Sequence, residues 1–153
     1  MSAVLKPAIE LRPMTADDLP AVMAIETAIY AFPWTPGNFR DSLVAGYSCW
    51  ICTHKGEPIG YAVLMLASDE AHLLNLSIAA AWQRRGHGSL LLRRLCEIAR
   101  GRGARLIFLE VRPSNIAALR LYERNGFQQR GLRREYYPAP AGREDALVLG
   151  LPL

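Results

Sequence analysis

Apolar and polar residues alternate through AIELRP, residues 8–13, the period-two pattern of a strand with one buried face. The period then lengthens in MTADDLPAVMAIETAIY. There Leu19, Val22, Met23, Ile25 and Ile29 fall roughly on one side of a helix. Thr15 stands where an N-cap belongs, and Asp17 and Asp18 suit the positive end of the helix dipole. AFPWTPG, residues 31–37, is broken by two prolines and predicts a loop, with a short helix over 38–45. Strands are predicted over Ser48–His54 and 59–67, joined as a hairpin by KGEP, and again over AHLLNLSI, 71–78. Residues 88–100 predict a helix ended by GRG. RLIFLEV, 105–111, is a nearly continuous apolar run, the pattern of a strand buried on both faces. A last helix covers 115–124 and stops at Asn125-Gly126. Strands over 127–137 and 144–151 close the chain, with PAPAGR as the loop between them.

Hairpins early and strand-helix-strand units late predict an α/β (α+β) fold. Its central sheet is mixed and mostly antiparallel, of about seven strands, with helices on both faces. The 153 residues fit a single domain over 1–153 that needs neither metal nor disulfide to fold. No apolar run reaches the ~18 residues of a membrane span and no leader pattern opens the chain, so a cytoplasmic protein without membrane contact is expected. Net charge is +4, with arginines gathered between Arg84 and Arg134. That basic half suits an anionic ligand, a nucleic acid or a ribosomal surface, or is simply a solvated face. CWIC, with Cys49 and Cys52, has the spacing of a redox or zinc pair. On a strand, however, residues three apart point to opposite faces, and a closed zinc site needs four ligands. Cys96 fits a helix core.

The candidate chemistry centres on QRRGHG, which follows the strand LLNLSI and opens a helix. Gly86 and Gly88 let main-chain N–H groups approach a ligand, and a helix start is an anion site. The loop lacks the lysine of a P-loop, and Leu91 takes the place of the third glycine in a dinucleotide fingerprint. Glu110 interrupts the apolar strand near its C-terminal end, where open sheets place ligands. Two readings stay open for it: an ion pair with Arg112, or a poorly paired carboxylate whose pKa rises by desolvation, as suits a general base. Tyr122 lies two turns after Asn115 on one helix face, a spacing that also fits core packing.

With Gln83, Gly86 and Gly88 at the three fixed positions of Q/R-x-x-G-x-G/A, the chain resembles the GCN5-related N-acetyltransferase superfamily. FPW at 32–34, LEVRPSNIAALRLYERNGF at 109–127 and RREYYP with GREDALVL near the end are similar to its RimI subgroup. The resemblance implies acetyl-CoA as co-substrate and the N-terminal peptide of a protein as acceptor, in that subgroup the N-terminal alanine of small ribosomal subunit protein eighteen. It implies that Leu76, Ser77 and Ile78 pair with the pantetheine arm. Arg84, Arg85, Gly86, His87, Gly88 and Ser89 would hold the pyrophosphate, with Asn115 near the thioester. Ser89 stands where relatives are often basic. Glu110 would be the base, working through a water. Tyr122 would protonate the departing thiolate, from an ordinary tyrosine pKa near ~10 against ~8.5 for a thiol. Phe32, Trp34 and Tyr136 would wall the peptide groove, with Glu135, Glu144 and Asp145 favouring basic residues in the peptide. No cysteine lies at this site, so direct transfer in a ternary complex is expected. Two other readings compete: acetylation of a different amine, and a non-catalytic ribosome- or RNA-binding module. No aromatic-interleaved basic stripe supports stable nucleic-acid binding.

Overall fold

The computed structural model describes residues 8–153. Its seven strands are β1 (Ile9–Pro13), β2 (Ser48–His54), β3 (Glu57–Ala67), β4 (Glu70–Ile78), β5 (Leu106–Val111), β6 (Gln128–Ala139) and β7 (Gly142–Pro152). They form one sheet in the order β1-β2-β3-β4-β5-β7-β6, antiparallel throughout except between β4 and β5. The helices are α1 (Leu19–Ile29), α2 (Pro36–Val44), α3 (His87–Gly101) and α4 (Ile116–Arg124). None is long and apolar enough to cross a membrane.

Local chemistry explains where the elements begin. Thr15 caps a 3-10 turn, Ala16–Asp18, and α1 proper starts one turn later than its periodicity suggests. Asp18 accepts from Thr15 N at 2.8 Å and pairs with Arg12 at 2.7 Å, tying the end of β1 to the start of the helix. The second helix starts at Pro36, not at residue 38. Thr35 Oγ1 accepts from Asn38 N at 3.1 Å while Asn38 Oδ1 accepts from Thr35 N at 2.9 Å, a reciprocal cap. Proline is favoured at the first helical position, where its missing N–H costs nothing.

The sheet separates two cores, so helices do cover both faces. Under α3 and α4 lie Ile59, Ala62, Leu64, Leu73, Leu91, Leu92, Leu95, Ile107 and Leu109. Under α1 and α2 lie Leu19, Val22, Phe39, Ile51, Tyr61 and Val63. Burying a ring such as Phe39 stabilises the fold by about 1.5–3 kcal/mol. Cys49 belongs to the second core and Cys52 to the first, so CWIC is no pair. Both thiols, like that of Cys96, are buried and free, and burial pushes Cys49 up to about 11.

Two strands differ from expectation. Only Ile107, Leu109 and Val111 of β5 are fully buried; Leu106, Phe108 and Glu110, on the other face, are half-buried. PAPAGR is largely strand, with Pro138 opposite Arg143 and Ala139 opposite Gly142, so the turn shrinks to Pro140-Ala141. Pro138 is tolerated because β6 is the edge strand and no neighbour asks for its missing N–H.

The parallel pair creates the opening. Pairing of β4 with β5 runs only from Glu70–Leu106 to His72–Phe108. β4 continues to Ile78 and β5 to Val111 without a partner between them, so the strands part. A register shift in the β3–β4 ladder leaves Leu74 unmatched between Leu73 and Asn75, the mark of a bulge that bends β4 at that place.

Candidate active site

The parted edge of β4 has a definite polarity. Ala79 N donates to Ile59 O at 2.8 Å, which sets the alternation of the antiparallel ladder. Ser77 therefore directs its main chain at Tyr61 of β3, and Leu76 and Ile78 direct theirs toward the opening. The Ile78 carbonyl accepts from Gln83 Nε2 at 2.8 Å. Gln83 is therefore structural, because that bond anchors the loop that follows to the end of β4. Ser77 contributes its side chain elsewhere. Its hydroxyl is 2.6 Å from Tyr30 Oη and donates to Asn75 Oδ1 at 2.7 Å.

The loop from Gln83 to Ser89 turns through two left-handed residues, Arg84 at φ 62° and Gly86 at φ 82°. Gly86 is the N-cap of α3, where a side chain would be strained. The two glycines differ. A Cβ on Gly86 would meet nothing within 4 Å, whereas one on Gly88 would stand 3.4 Å from Leu121 of α4. Gly88 therefore faces α4, where a Cβ would make ordinary contact with Leu121. Ser89 Oγ accepts from Asn125 Nδ2 at 3.1 Å, tying the same two helices. Trp82 is flanked by His54 at 4.6 Å, His87 at 5.6 Å and the Arg85 guanidinium at 5.1 Å, so His87 packs beside the loop. Asn115 is the N-cap of α4, its Oδ1 accepting from Ala118 N at 3.2 Å.

Glu110 is not paired with Arg112. Its Oε2 lies 2.5 Å from Nε2 of His72, a ring stacked on Phe108 at 4.3 Å. Arg133 Nε stands 3.2 Å from Oε1, an ion pair without hydrogen-bond geometry, so Oε1 is buried with no hydrogen-bond partner among the described residues. Desolvation pushes this carboxyl up, but His72 and Arg133 together outweigh it and hold the group below the usual carboxylate range. The expected rise is therefore reversed. A buried carboxylate that keeps its charge, with one oxygen free of hydrogen bonds, has unused acceptor capacity.

Tyr122 is 7% exposed and packs on Phe127 at 5.5 Å. Burial, then the nearby Tyr30 and Tyr137 phenols, push its pKa above the ordinary value near ~10. Burial also pushes Tyr137 up, and Glu110 adds to it. Tyr137 thus lies within electrostatic reach of both Glu110 and Tyr122. Burial takes Tyr30, at the end of α1, up to about 12.

Phe32 and Tyr136 are 42% and 43% exposed. Trp34 is half-buried against Phe39 at 5.1 Å and belongs mainly to the second core. Two of the three acidic residues are already engaged, and Glu135 bonds through its main chain. Glu144 accepts from Arg112 Nη1 at 3.2 Å and from Ser114 N at 3.0 Å, and Asp145 accepts from Glu135 N at 2.9 Å. Glu144 and Asp145 are therefore not free to form the acidic patch expected for a basic peptide.

One cluster had no signal in the sequence beyond an acid on a mostly apolar helix. Glu26, 2% exposed, accepts from Trp34 N at 2.9 Å, Tyr61 Oη at 2.7 Å and Asn75 Nδ2 at 3.1 Å. Through Asn75, Ser77 and Tyr30 it braces the parted half of β4 from behind.

The parallel strand pair thus parts beside the start of α3, with a buried carboxylate at the fork, in a mixed seven-stranded sheet covered on both faces, the architecture of an acyltransferase of the N-acetyltransferase class. Residues 19–127 match the acetyltransferase (GNAT) family, and the chain belongs to it. It is 40% identical over 136 residues to the [ribosomal protein bS18]-alanine N-acetyltransferase of Escherichia coli, covering 89% of this chain and 92% of that one. The enzyme of the same description from Salmonella typhimurium is 38% identical over 140 residues, 92% of this chain and 95% of that one. The crystal structure of the ribosomal-protein-S18-alanine N-acetyltransferase from Escherichia coli superposes with a TM-score of 0.87 at 38% identity, covering 94% and 93% of the two chains. The chain is an acetyl-CoA-dependent N-acetyltransferase.

Proposed function

We propose that this enzyme acetylates the N-terminal amine of a protein, and that its acceptor is the N-terminal alanine of ribosomal protein bS18. The carrying observation is the fork between β4 and β5, with the charged, incompletely bonded Glu110 on its rim. The near-full-length similarity to bS18-alanine N-acetyltransferases supplies the acceptor.

In this reading the pantetheine arm of acetyl-CoA pairs with the outward main-chain groups of Leu76 and Ile78, and Ser77 braces them. The pyrophosphate sits on main-chain N–H groups of Arg84, Arg85, Gly86, His87, Gly88 and Ser89, at the positive end of α3. Asn115 borders the thioester. The peptide enters from the opposite side, between Phe32 and Tyr136, with Tyr137 innermost. Trp34 supports this wall from the core.

An α-amine has a pKa of about 7.7–8.0, so roughly a tenth is neutral at pH 7. The neutral fraction attacks, and Glu110 accepts through a water the proton that the nitrogen sheds as acylation makes it acidic. The amine nitrogen forms a bond to the thioester carbon, the C–S bond breaks, and its electron pair leaves on sulfur. Tyr122 meets that sulfur as a hydrogen-bond donor. A phenol above ~10 keeps its proton against a thiolate near ~8.5, so Tyr122 stabilises the leaving group, and solvent completes its protonation.

The test is kinetic, with Ala-Arg-Tyr, Leu-Arg-Tyr and Ala-Glu-Tyr peptides and an N-terminally blocked peptide carrying a lysine. Ala-Arg-Tyr is expected to give the highest kcat/KM, and the blocked peptide no product. Equal turnover of all four would move a general amine acceptor to first place. Salt-sensitive RNA binding without any CoA release would favour a binding module.

A further inference from the structure

Arg112 lies two residues beyond Glu110, on the same side of the line of β5, yet it turns away from that carboxylate. Its Nη1 donates to Pro138 O at 2.7 Å and to Glu144 Oε1 at 3.2 Å. Its guanidinium carbon is 4.3 Å from the centre of the Tyr137 ring and 5.4 Å from that of Phe32. Glu144 is fixed in turn by Ser114, whose N and Oγ donate to it at 3.0 and 2.9 Å. One side chain therefore joins four segments: the end of β5, the loop between α1 and α2, the tip of β6 and the start of β7. We propose that Arg112 is a positioning residue that clamps the two walls of the acceptor groove together and so sets the place of Tyr137; this rests on the acceptor reading given above.

The chemistry suits arginine and no other cation. A flat guanidinium can lie against two aromatic faces while its edge donates to a carbonyl and a carboxylate. A lysine ammonium offers a compact charge with no plane to stack. Phe32 and Tyr137 come from segments about a hundred residues apart, and β6 is an edge strand with a register shift between Arg133 and Tyr137. Arg143 and Asp145 of β7 hold the irregular stretch at Glu135 and Tyr136, and Arg112 joins the residues that follow to Phe32 and the end of β5. The Glu144 carboxyl, held low chiefly by Ser114 and then by Arg112, keeps its charge for the clamp at neutral pH.

The test uses Arg112→Lys, which keeps the charge opposite Glu144, and Phe32→Leu, which removes one ring at an exposed position. Two readouts are taken on the full chain: KM for the Ala-Arg-Tyr peptide against KM for acetyl-CoA, and amide hydrogen exchange by segment. In Arg112→Lys the peptide KM is expected to rise about tenfold while the acetyl-CoA KM stays within about twofold, because misplaced positioning groups cost binding without touching the cofactor loop. Amides of residues 30–35 and 136–139 exchange faster together, and those of the β2–β3 hairpin do not. Phe32→Leu shows the same pattern more weakly. Unchanged exchange in either wall, or a parallel rise of both KM values, overturns the clamp. If the wild type acetylates no N-terminal peptide, the acceptor reading fails, and the exchange measurement still decides whether Arg112 joins the walls.

Discussion

In the proposed reading, the cofactor side of the cleft is built from main chain, and the acceptor side from side chains that reach across the sequence. On the first side, Leu76 and Ile78 turn their peptide groups outward, and Arg84 and Gly86 bend the loop into a helix start. On the second, Phe32, Arg112, Tyr137 and Glu144 hold one another by stacking and hydrogen bonds. A main-chain site tolerates changes of side chain at most positions and depends on a few backbone angles. A side-chain site has the opposite sensitivity. The two sides therefore have different failure modes, and single substitutions separate them.

The largest effect is expected where the sides meet. Glu110→Gln lowers kcat by about 10²–10³-fold, the usual range for a lost general base, with acetyl-CoA affinity unchanged by calorimetry. Turnover near the wild-type rate across pH 6–9 would remove Glu110 from the mechanism. Because His72 and Arg133 hold Glu110 low, it stays ionised over that whole window. The rise of kcat/KM with pH should then follow the peptide amine and level off near pH ~8. An inflection near pH ~6 that disappears in Glu110→Gln would contradict this sign.

Gly86→Val tests the main-chain side alone. It forces a branched residue to φ 82°. It should raise the acetyl-CoA KM about tenfold or more and leave the peptide KM in place. Gly88→Val is a poorer probe, because its side chain would also meet Leu121 of α4.

Glu26→Ala strikes the brace behind both sides. It strands the buried donors of Trp34, Tyr61 and Asn75. A loss of about 3 kcal/mol in urea unfolding is expected at one to three kcal/mol per stranded group, offset by relaxation. A change under ~0.5 kcal/mol would show that the network carries no stability.

The smallest effect is on acid stability. Asp18 and Glu110 are held below their ordinary values in the folded chain, so both stabilise it at neutral pH. That contribution is complete above the unfolded carboxylate range near ~4 and fades as pH falls through the lower folded values. Thermal melts should give a flat Tm from pH ~8 to ~5 and a decline below ~4. A decline that begins near pH ~6 would point to another group.

The same contrast explains what the sequence disclosed. Hydrophobic period placed every strand and helix to within a few residues, and glycine spacing marked the loop before α3, because both are local consequences of backbone geometry. Glu110 stood out as an acid in an apolar strand. Its partner His72, thirty-eight residues away, did not, and neither did the Arg112 clasp or the Glu26 network. Those depend on which residues the sheet order brings together, and no spacing in one chain encodes a pairing between β4 and β5 or across an edge hairpin. The loop PAPAGR misled for a related reason: its prolines and glycine are compatible with an edge strand, where only the outer N–H is dispensable.

In the proposed reading both sides are filled at once, and acetyl passes directly across the fork. Initial rates measured over a grid of acetyl-CoA and Ala-Arg-Tyr concentrations test it most directly. Intersecting double-reciprocal lines, with no CoA released before peptide is added, are the predicted result. Parallel lines with a burst of CoA in the absence of peptide would mean a covalent acetyl-enzyme, and would contradict the account.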